Sequence, residues 1–210
     1  MANILCLDFD DTIVLDNTAR QIFERFAAPQ WREHEARYQA GKLTVEQFNA
    51  AALDLVEAEP GEIKEFVLSV ARPRDGLLEL LDWAQWNDWL VMVVSNGFDI
   101  YVNPVLDRLG IDRVTRHAGR ARFDYRWRVT YFSPRGVEIQ DGFKLAYAAS
   151  LKNTGDVVTY IGDGASDVGA AMLAERVFAR STLLERLTGA HPDVRPFETF
   201  HDVVASLNRG

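Results

Sequence analysis

A single cysteine, Cys6, leaves this 210-residue chain without an intrachain disulfide and fits a reducing compartment. No apolar stretch reaches the roughly eighteen residues needed to cross a bilayer. The N-terminus runs into an apolar segment within three residues, not into the basic and then apolar pattern of a secretion signal. A cytoplasmic protein with no membrane contact is therefore expected. A basic excess is missing too: 23 lysines and arginines face 31 aspartates and glutamates, a net charge of −8 that speaks against nucleic acid as a general partner. His34 has no second ligand at a metal-binding spacing, and the chain holds neither an internal repeat nor a low-complexity segment.

What is plentiful is apolar: 48% of the residues, enough for one substantial core with a small second domain. The rest is organised around Cys6-Leu7-Asp8-Phe9-Asp10-Asp11-Thr12. Asn3 to Leu7 is nearly continuously apolar, as expected of a parallel-sheet strand covered on both faces. Asp8 and Asp10 then stand at the carboxyl end of that strand, where open α/β sheets place their ligands. Alternate positions on extended backbone start out on one side, and two carboxylates this close repel unless a cation or a positive side chain joins them. Alone, such a segment is more often a polar turn. Three further segments reverse that weighting. Residues 90–94 run into Ser95-Asn96-Gly97, residues 157–161 run into Gly162-Asp163-Gly164-Ala165-Ser166-Asp167, and between them Lys144 opens a helical pattern from Phe143 to Leu151.

The ordered set Asp-x-Asp-x-Thr, Ser, Lys and Gly-Asp-Gly-x-x-Asp resembles the haloacid dehalogenase superfamily of phosphohydrolases over the whole core. The helical stretch between the first two motifs is similar to the phosphoserine phosphatase-like branch. Within it, Phe26-Ala27-Ala28-Pro29-Gln30-Trp31, Phe66-Val67-Leu68 and Val177-Phe178-Ala179-Arg180 resemble the methionine-salvage phosphatases that act on a hydroxy-keto-methylthiopentenyl phosphate. The cysteine-rich segment those carry just before the lysine is missing here.

The resemblance implies Asp8 as the nucleophile that becomes an aspartyl phosphate, and Asp10 as the general acid and base. It implies Mg2+ held by Asp8, Asp163 and the backbone carbonyl of Asp10, with Asp167 supporting the ion from behind or through water. Ser95 and the amides of Asn96 and Gly97, with Lys144, would bind the substrate phosphate. Asp11 should point away from the site. The expected reaction is magnesium-dependent hydrolysis of a small phosphorylated metabolite, with an amino-acid phosphate of the phosphoserine kind as the alternative substrate. Metal-free dehalogenation would leave Asp10, Asp163 and Asp167 without a purpose.

The expected fold is α/β: a Rossmann-like parallel sheet with helices on both faces, formed by residues 1–15 and 73–210. A helical cap over 16–72 is inserted after the first strand. Thr18 to Gln21 and Thr44 to Gln47 fit capping boxes, Pro60-Gly61 reads as a break before a helix over 62–71, and Trp31, Tyr38 and Phe48 read as cap packing more readily than as a pocket lining. Trp83 and Trp86 should pack on the sheet, and Pro104 sits in the first turn of its helix or kinks it. Residues 113 to 135 carry seven arginines against Asp124 alone. Within them the alternation from Arg122 to Tyr131 predicts one strand, turning at Ser133-Pro134-Arg135-Gly136 into a partner at 137–139, a small hairpin ahead of the motif lysine. Its arginines could steer a phosphate dianion, pair with acids of this chain or of a second copy in a homodimer, or form a binding module for nucleic acid or an acidic partner.

Overall fold

The computed structural model describes residues 1–209. Asn3–Leu7 (β1) is the central strand, paired in parallel with Leu90–Phe98 (β2) on one side and Val157–Gly162 (β6) on the other. Its side chains alternate between two cores. Leu5 and Leu7 join Val93, Leu106 and Phe200, while Cys6 joins Val94, Phe143 and Tyr160. That is the two-residue period of a strand covered on both faces. Leu77–Trp86 (α5), Asp99–Arg108 (α6) and Phe200–Leu207 (α10) cover the first face; Phe143–Asn153 (α7), Val168–Ala171 (α8) and Ser181–Leu187 (α9) cover the second.

Arg176–Ala179 (β7) and Val194–Pro196 (β8) extend the sheet beyond β6. Thr115–Asp124 (β3), Arg126–Phe132 (β4) and Glu138–Ile139 (β5) extend it beyond β2, giving the order β5-β4-β3-β2-β1-β6-β7-β8. Pairing is parallel except at β3–β4 and β4–β5. The α/β expectation holds, and β8 is an edge strand too short for its pattern to have shown. No helix among the described residues is long and apolar enough to cross a membrane.

Between β1 and α5 the chain folds into Thr18–Phe26 (α1), Trp31–Gln39 (α2), Val45–Leu53 (α3) and Pro60–Val70 (α4). Thr44 and Gln47 form the expected capping box. The first helix is capped differently: Asn17 accepts from Arg20 N at 2.9 Å, which frees the Thr18 amide to donate to Asp10 Oδ1 at 2.7 Å. Pro60 and Gly61 do not break α4 but begin it, because a proline at the first helical position gives up an amide that has no intrahelical partner anyway. The two chains leading to these helices run together as a neck. Val14 bridges Pro73, Leu15 N donates to Arg72 O at 2.9 Å, and Arg74 N donates to Ile13 O at 2.8 Å.

Other expectations change. The single strand over 122–131 is two strands, β3 and β4, reversed at Tyr125, which takes a left-handed φ of 58° and is 99% exposed. The second turn is as expected, with Gly136 N donating to Ser133 O. Trp127 buries its indole and donates to Ala58 O at 2.8 Å, so the apolar face of the hairpin packs on the insertion. Trp83 packs against Trp89, but Trp86 projects into solvent, where nothing on the sheet can reach it. Pro104 lies in the middle of α6, beyond its first turn.

Candidate active site

Three strand ends converge. Asp8 follows β1, Ser95 to Gly97 lie in the last part of β2, and Asp163 to Asp167 follow β6. Lys144, at the start of α7, is 4% exposed and reaches between them. Its Nζ stands 2.6 Å from Asp8 Oδ1 and 2.6 Å from Asp167 Oδ1. Burial disfavours the ammonium, but Asp167 and Asp8 more than offset this, and its pKa rises above the usual lysine range.

Asp167 is fully buried and takes four donors: Lys144 Nζ and the Tyr160 hydroxyl at 2.6 Å on Oδ1, and the amides of Gly164 at 2.8 Å and Asp163 at 3.2 Å on Oδ2. Two oxygens with four lone-pair sites are thereby used up. Asp167 holds the lysine and the 163–164 turn in place and has little left for an ion. Asp8 and Asp163 are different. Each has one oxygen engaged, by Lys144 and by Thr12 Oγ1 at 3.1 Å, and a second with no donor from the described residues. One oxygen each from Asp8, Asp163 and Asp167 all lie within 4.8 Å of one another.

Burial pushes Asp8 well above the usual carboxylate range, and Asp167 adds to it against the pull of Lys144. Burial, and then Asp167, lifts Asp163 to about 7. Three carboxyl groups share one ammonium, so an ion that displaces their protons is favoured, and these all-oxygen donors suit a hard divalent ion that keeps some of its own waters. The residues present fit such an ion.

Asp10 is turned out of this cluster. It accepts from the Thr18 amide and, through a very short hydrogen bond, from the Tyr101 hydroxyl. Burial raises its pKa to about 6 even though both hydrogen bonds pull it down. A direct ion ligand from this residue would have to be its backbone carbonyl. Asp11 takes a left-handed φ of 57°; at the rim of the cleft its carboxylate accepts from Asn17 instead of pointing wholly away.

Between Val94 and Phe98 the β2–β3 register slips, so three residues of β2 face one of β3. The bulge carries Ser95, Asn96 and Gly97, which line the cleft although they belong to the strand and do not follow it. Ser95 Oγ accepts from Gly97 N at 2.9 Å. Gly97 is required by space: a Cβ there would lie 2.6 Å from Tyr101 Cζ and 2.9 Å from Asp10 Oδ2, and closer still to the Tyr101 hydroxyl. Tyr101 on α6 and Glu46 on α3, whose carboxylate accepts from Asn96 Nδ2, carry no signal in the sequence, because nothing in an amphipathic helix marks which side chain meets a site formed by distant strands.

The cleft is about 610 Å³ and is closed over by the insertion: Ala19, Arg20, Gln21, Phe23, Tyr38, Val45 and Phe48 face Asp8, Asp10, Lys144 and Asp163 across it. Tyr38 and Phe48 stack at 5.4 Å, so two of the three aromatics expected to pack the cap also line the cleft; Trp31 alone is fully buried. Arg20 is neutralised by Glu24 at 3.1 Å and Glu35 at 2.5 Å. None of Arg122, Arg126 and Arg128 reaches the cleft. Arg122 and Arg126 lie 3.9 Å from Asp99 and 3.5 Å from Asp54 of the same chain.

A family model described as haloacid dehalogenase-like hydrolase matches residues 5–172. Two curated relatives, both named 2-hydroxy-3-keto-5-methylthiopentenyl-1-phosphate phosphatase, come from Bacillus thuringiensis subsp. konkukian (strain 97-27) and Bacillus thuringiensis (strain Al Hakam). They are 29% and 30% identical over 95% of this chain and 93% of their own. Among solved structures, a phospho-aspartyl intermediate analogue of phosphoserine phosphatase superposes with a TM-score of 0.74 over 98% of both chains at 20% identity, a likeness of fold.

Proposed function

This chain belongs to the haloacid dehalogenase-like hydrolase family and is a phosphoric monoester hydrolase acting on a small phosphorylated substrate; from that premise we propose that it is a magnesium-dependent cytoplasmic phosphatase that works through an aspartyl phosphate on Asp8. The observation that carries the reading is Asp8 held between Lys144 and an oxygen cluster at the carboxyl edge of the sheet, with Asp10 beside it but outside the cluster. When bound, Mg2+ would be held by Asp8, Asp163 and the Asp10 carbonyl and would neutralise charge on the phosphate and on the attacking carboxylate.

Lys144 fixes one Asp8 oxygen, so the other faces the cleft. Asp8 attacks phosphorus as the bond from phosphorus to the leaving oxygen breaks, and Asp10 gives its proton to that oxygen. Asp10, now a carboxylate, takes a proton from water, and the oxygen of that water displaces Asp8 from phosphorus. A pKa lifted to about 6 suits both halves. The bulge at Ser95 to Gly97 offers hydroxyl and amide donors to the phosphate oxygens, with Lys144 opposite.

For the leaving group we propose a hydroxy-keto-methylthiopentenyl phosphate or a close analogue. Phe23, Tyr38 and Phe48 give the cleft an apolar wall, and Arg20, already paired with two glutamates, leaves no cation for an amino-acid carboxylate. This disfavours phosphoserine. The test is phosphate release over several dozen metabolite esters with and without magnesium. The enol phosphate should lead and phosphoserine should trail by about a hundredfold or more in kcat/KM, a discrimination of the size an unmet charged group imposes. Phosphate release from none of them would refute the reading, and a lead for phosphoserine would refute the substrate.

A further inference from the structure

From α3 the proposed function uses only Phe48, in the wall that faces the leaving group, yet α3 also inserts an acid beneath the phosphate loop. Glu46 is 3% exposed. Its Oε1 accepts from Asn96 Nδ2 at 3.0 Å and from Phe143 N at 2.9 Å; its Oε2 is buried with no partner among the described residues. One turn on, Asn49 Nδ2 donates to Asn96 O at 2.7 Å, where the Tyr131 hydroxyl also donates at 2.5 Å. Asn96 is therefore gripped at both its side chain and its carbonyl, between Ser95 and Gly97. Phe143 is the first residue of α7, and the next is Lys144.

We propose that Glu46 is a positioning residue of the phosphate site: its single oxygen Oε1 sets the separation between the Ser95–Gly97 donors and Lys144. The inference rests on the phosphatase reading above. A phosphate dianion has to meet the loop donors and the ammonium together, and a displacement of about 1 Å in such a constellation costs on the order of a hundredfold. No other atom of the described residues accepts hydrogen bonds from both the loop and the start of α7. The unmatched Oε2 points the same way, since a buried carboxyl oxygen without a donor is unfavourable and is tolerated here beside an Oε1 that holds two donors at once.

Three variants separate positioning from mere packing. Glu46→Ala releases both donors. Glu46→Asp keeps the carboxyl group but draws it back by about 1.5 Å, one carbon–carbon bond. Glu46→Gln keeps an oxygen that can accept from both. With p-nitrophenyl phosphate as the probe, kcat/KM should fall about a hundredfold in Glu46→Ala and at least tenfold in Glu46→Asp, while Glu46→Gln stays within about threefold of wild type. The affinity for inorganic phosphate, read by calorimetry, should fall in the same order, and the Kd for Mg2+ should change far less, because Asp8 and Asp163 do not touch Glu46 and only Lys144 links it to Asp8.

If Glu46→Ala does not fold, the Asp and Gln variants decide between themselves. Wild-type phosphate affinity in Glu46→Asp would overturn the proposal, and so would a Glu46→Gln as impaired as Glu46→Asp or a Mg2+ affinity that falls in parallel. A wild type that releases no phosphate from any ester would sink the phosphatase reading instead, and the phosphate-binding series would still judge Glu46.

Discussion

Adding a divalent ion to the metal-free protein should raise its melting temperature, and by more at pH 8 than at pH 5. In the absence of an ion Asp163 sits at about 7 against an ordinary 3.8, through burial first and then the charge of Asp167. A carboxyl whose folded pKa lies above its unfolded value binds more protons in the native state between those two values. Its contribution is fully present below about pH 4 and is lost as pH rises through about 7, so the metal-free protein should weaken across that window. An ion replaces the missing protons. At a hundred times its Kd it adds about 2.7 kcal/mol. The unfolding entropy of 210 residues is about 0.4 kcal/mol per kelvin, so the expected rise is about 6 °C at pH 8. At pH 5 protons compete for the same oxygens and the rise should shrink. Calorimetry of the chelated protein, with and without Mg2+, at both pH values and in Asp163→Asn, makes the measurement. An unchanged melting temperature at pH 8, or an equal rise in Asp163→Asn, would refute the reasoning.

Asp8→Asn should cut phosphate release at least about a thousandfold and leave the melting temperature within a few degrees, because little volume changes; retention of a tenth of wild-type release would remove Asp8 from the nucleophile's role. Tyr101→Phe takes away a hydrogen bond that lowers the Asp10 pKa, so the limb of the kcat profile that reports the proton donor should move to higher pH; a profile that stays still or moves down contradicts the assignment. Gly97→Ala drives a methyl into Tyr101 and Asp10 and should destabilise by about 1–3 kcal/mol while lowering kcat, effects that a denaturant melt and an initial-rate assay can separate. Arg126→Gln/Arg128→Gln should leave kcat/KM and its salt dependence unaltered, since neither side chain reaches the cleft; a flatter salt dependence would restore a steering role.

The strands carrying the chemistry were legible because each is buried on both faces and so reads as an unbroken apolar run: 3–7, 90–94 and 157–161 all lie inside observed strands. The hairpin was not. Phe123 pairs with Trp127 and Ala121 with Val129, so partners across the Tyr125 reversal share parity and the odd-numbered residues keep to one face in both strands. The alternation passes through the reversal without a break, and Tyr125 is neither glycine nor asparagine to announce it. Asn17 displaced Thr18 as a cap because the two lie one residue apart and either can serve. Asp8, Asp10, Ser95, Asn96, Gly97, Lys144 and Asp163 line one cleft with Asp167 buried behind them, and they were legible because strand ends and a helix start can be read from periodicity. Tyr101 and Glu46 depend on which face of a helix meets a site built elsewhere, and a single sequence holds no trace of that.

The neck at Val14 and Pro73 has a consequence for how such a protein can change over generations. Both ends of the segment from Leu15 to Arg72 are pinned side by side by backbone hydrogen bonds, so lengthening, shortening or replacing what lies between them moves neither β1 nor α5. Mutation can therefore reshape the wall that meets the leaving group while the phosphate chemistry stays where it is. Thr18, Glu46 and Asn49 limit that independence: a transplanted segment without a donor to Asp10 and without partners for Asn96 and the start of α7 would keep its new pocket and loosen the residues beneath it, so the segment is exchangeable only as far as those contacts are carried along.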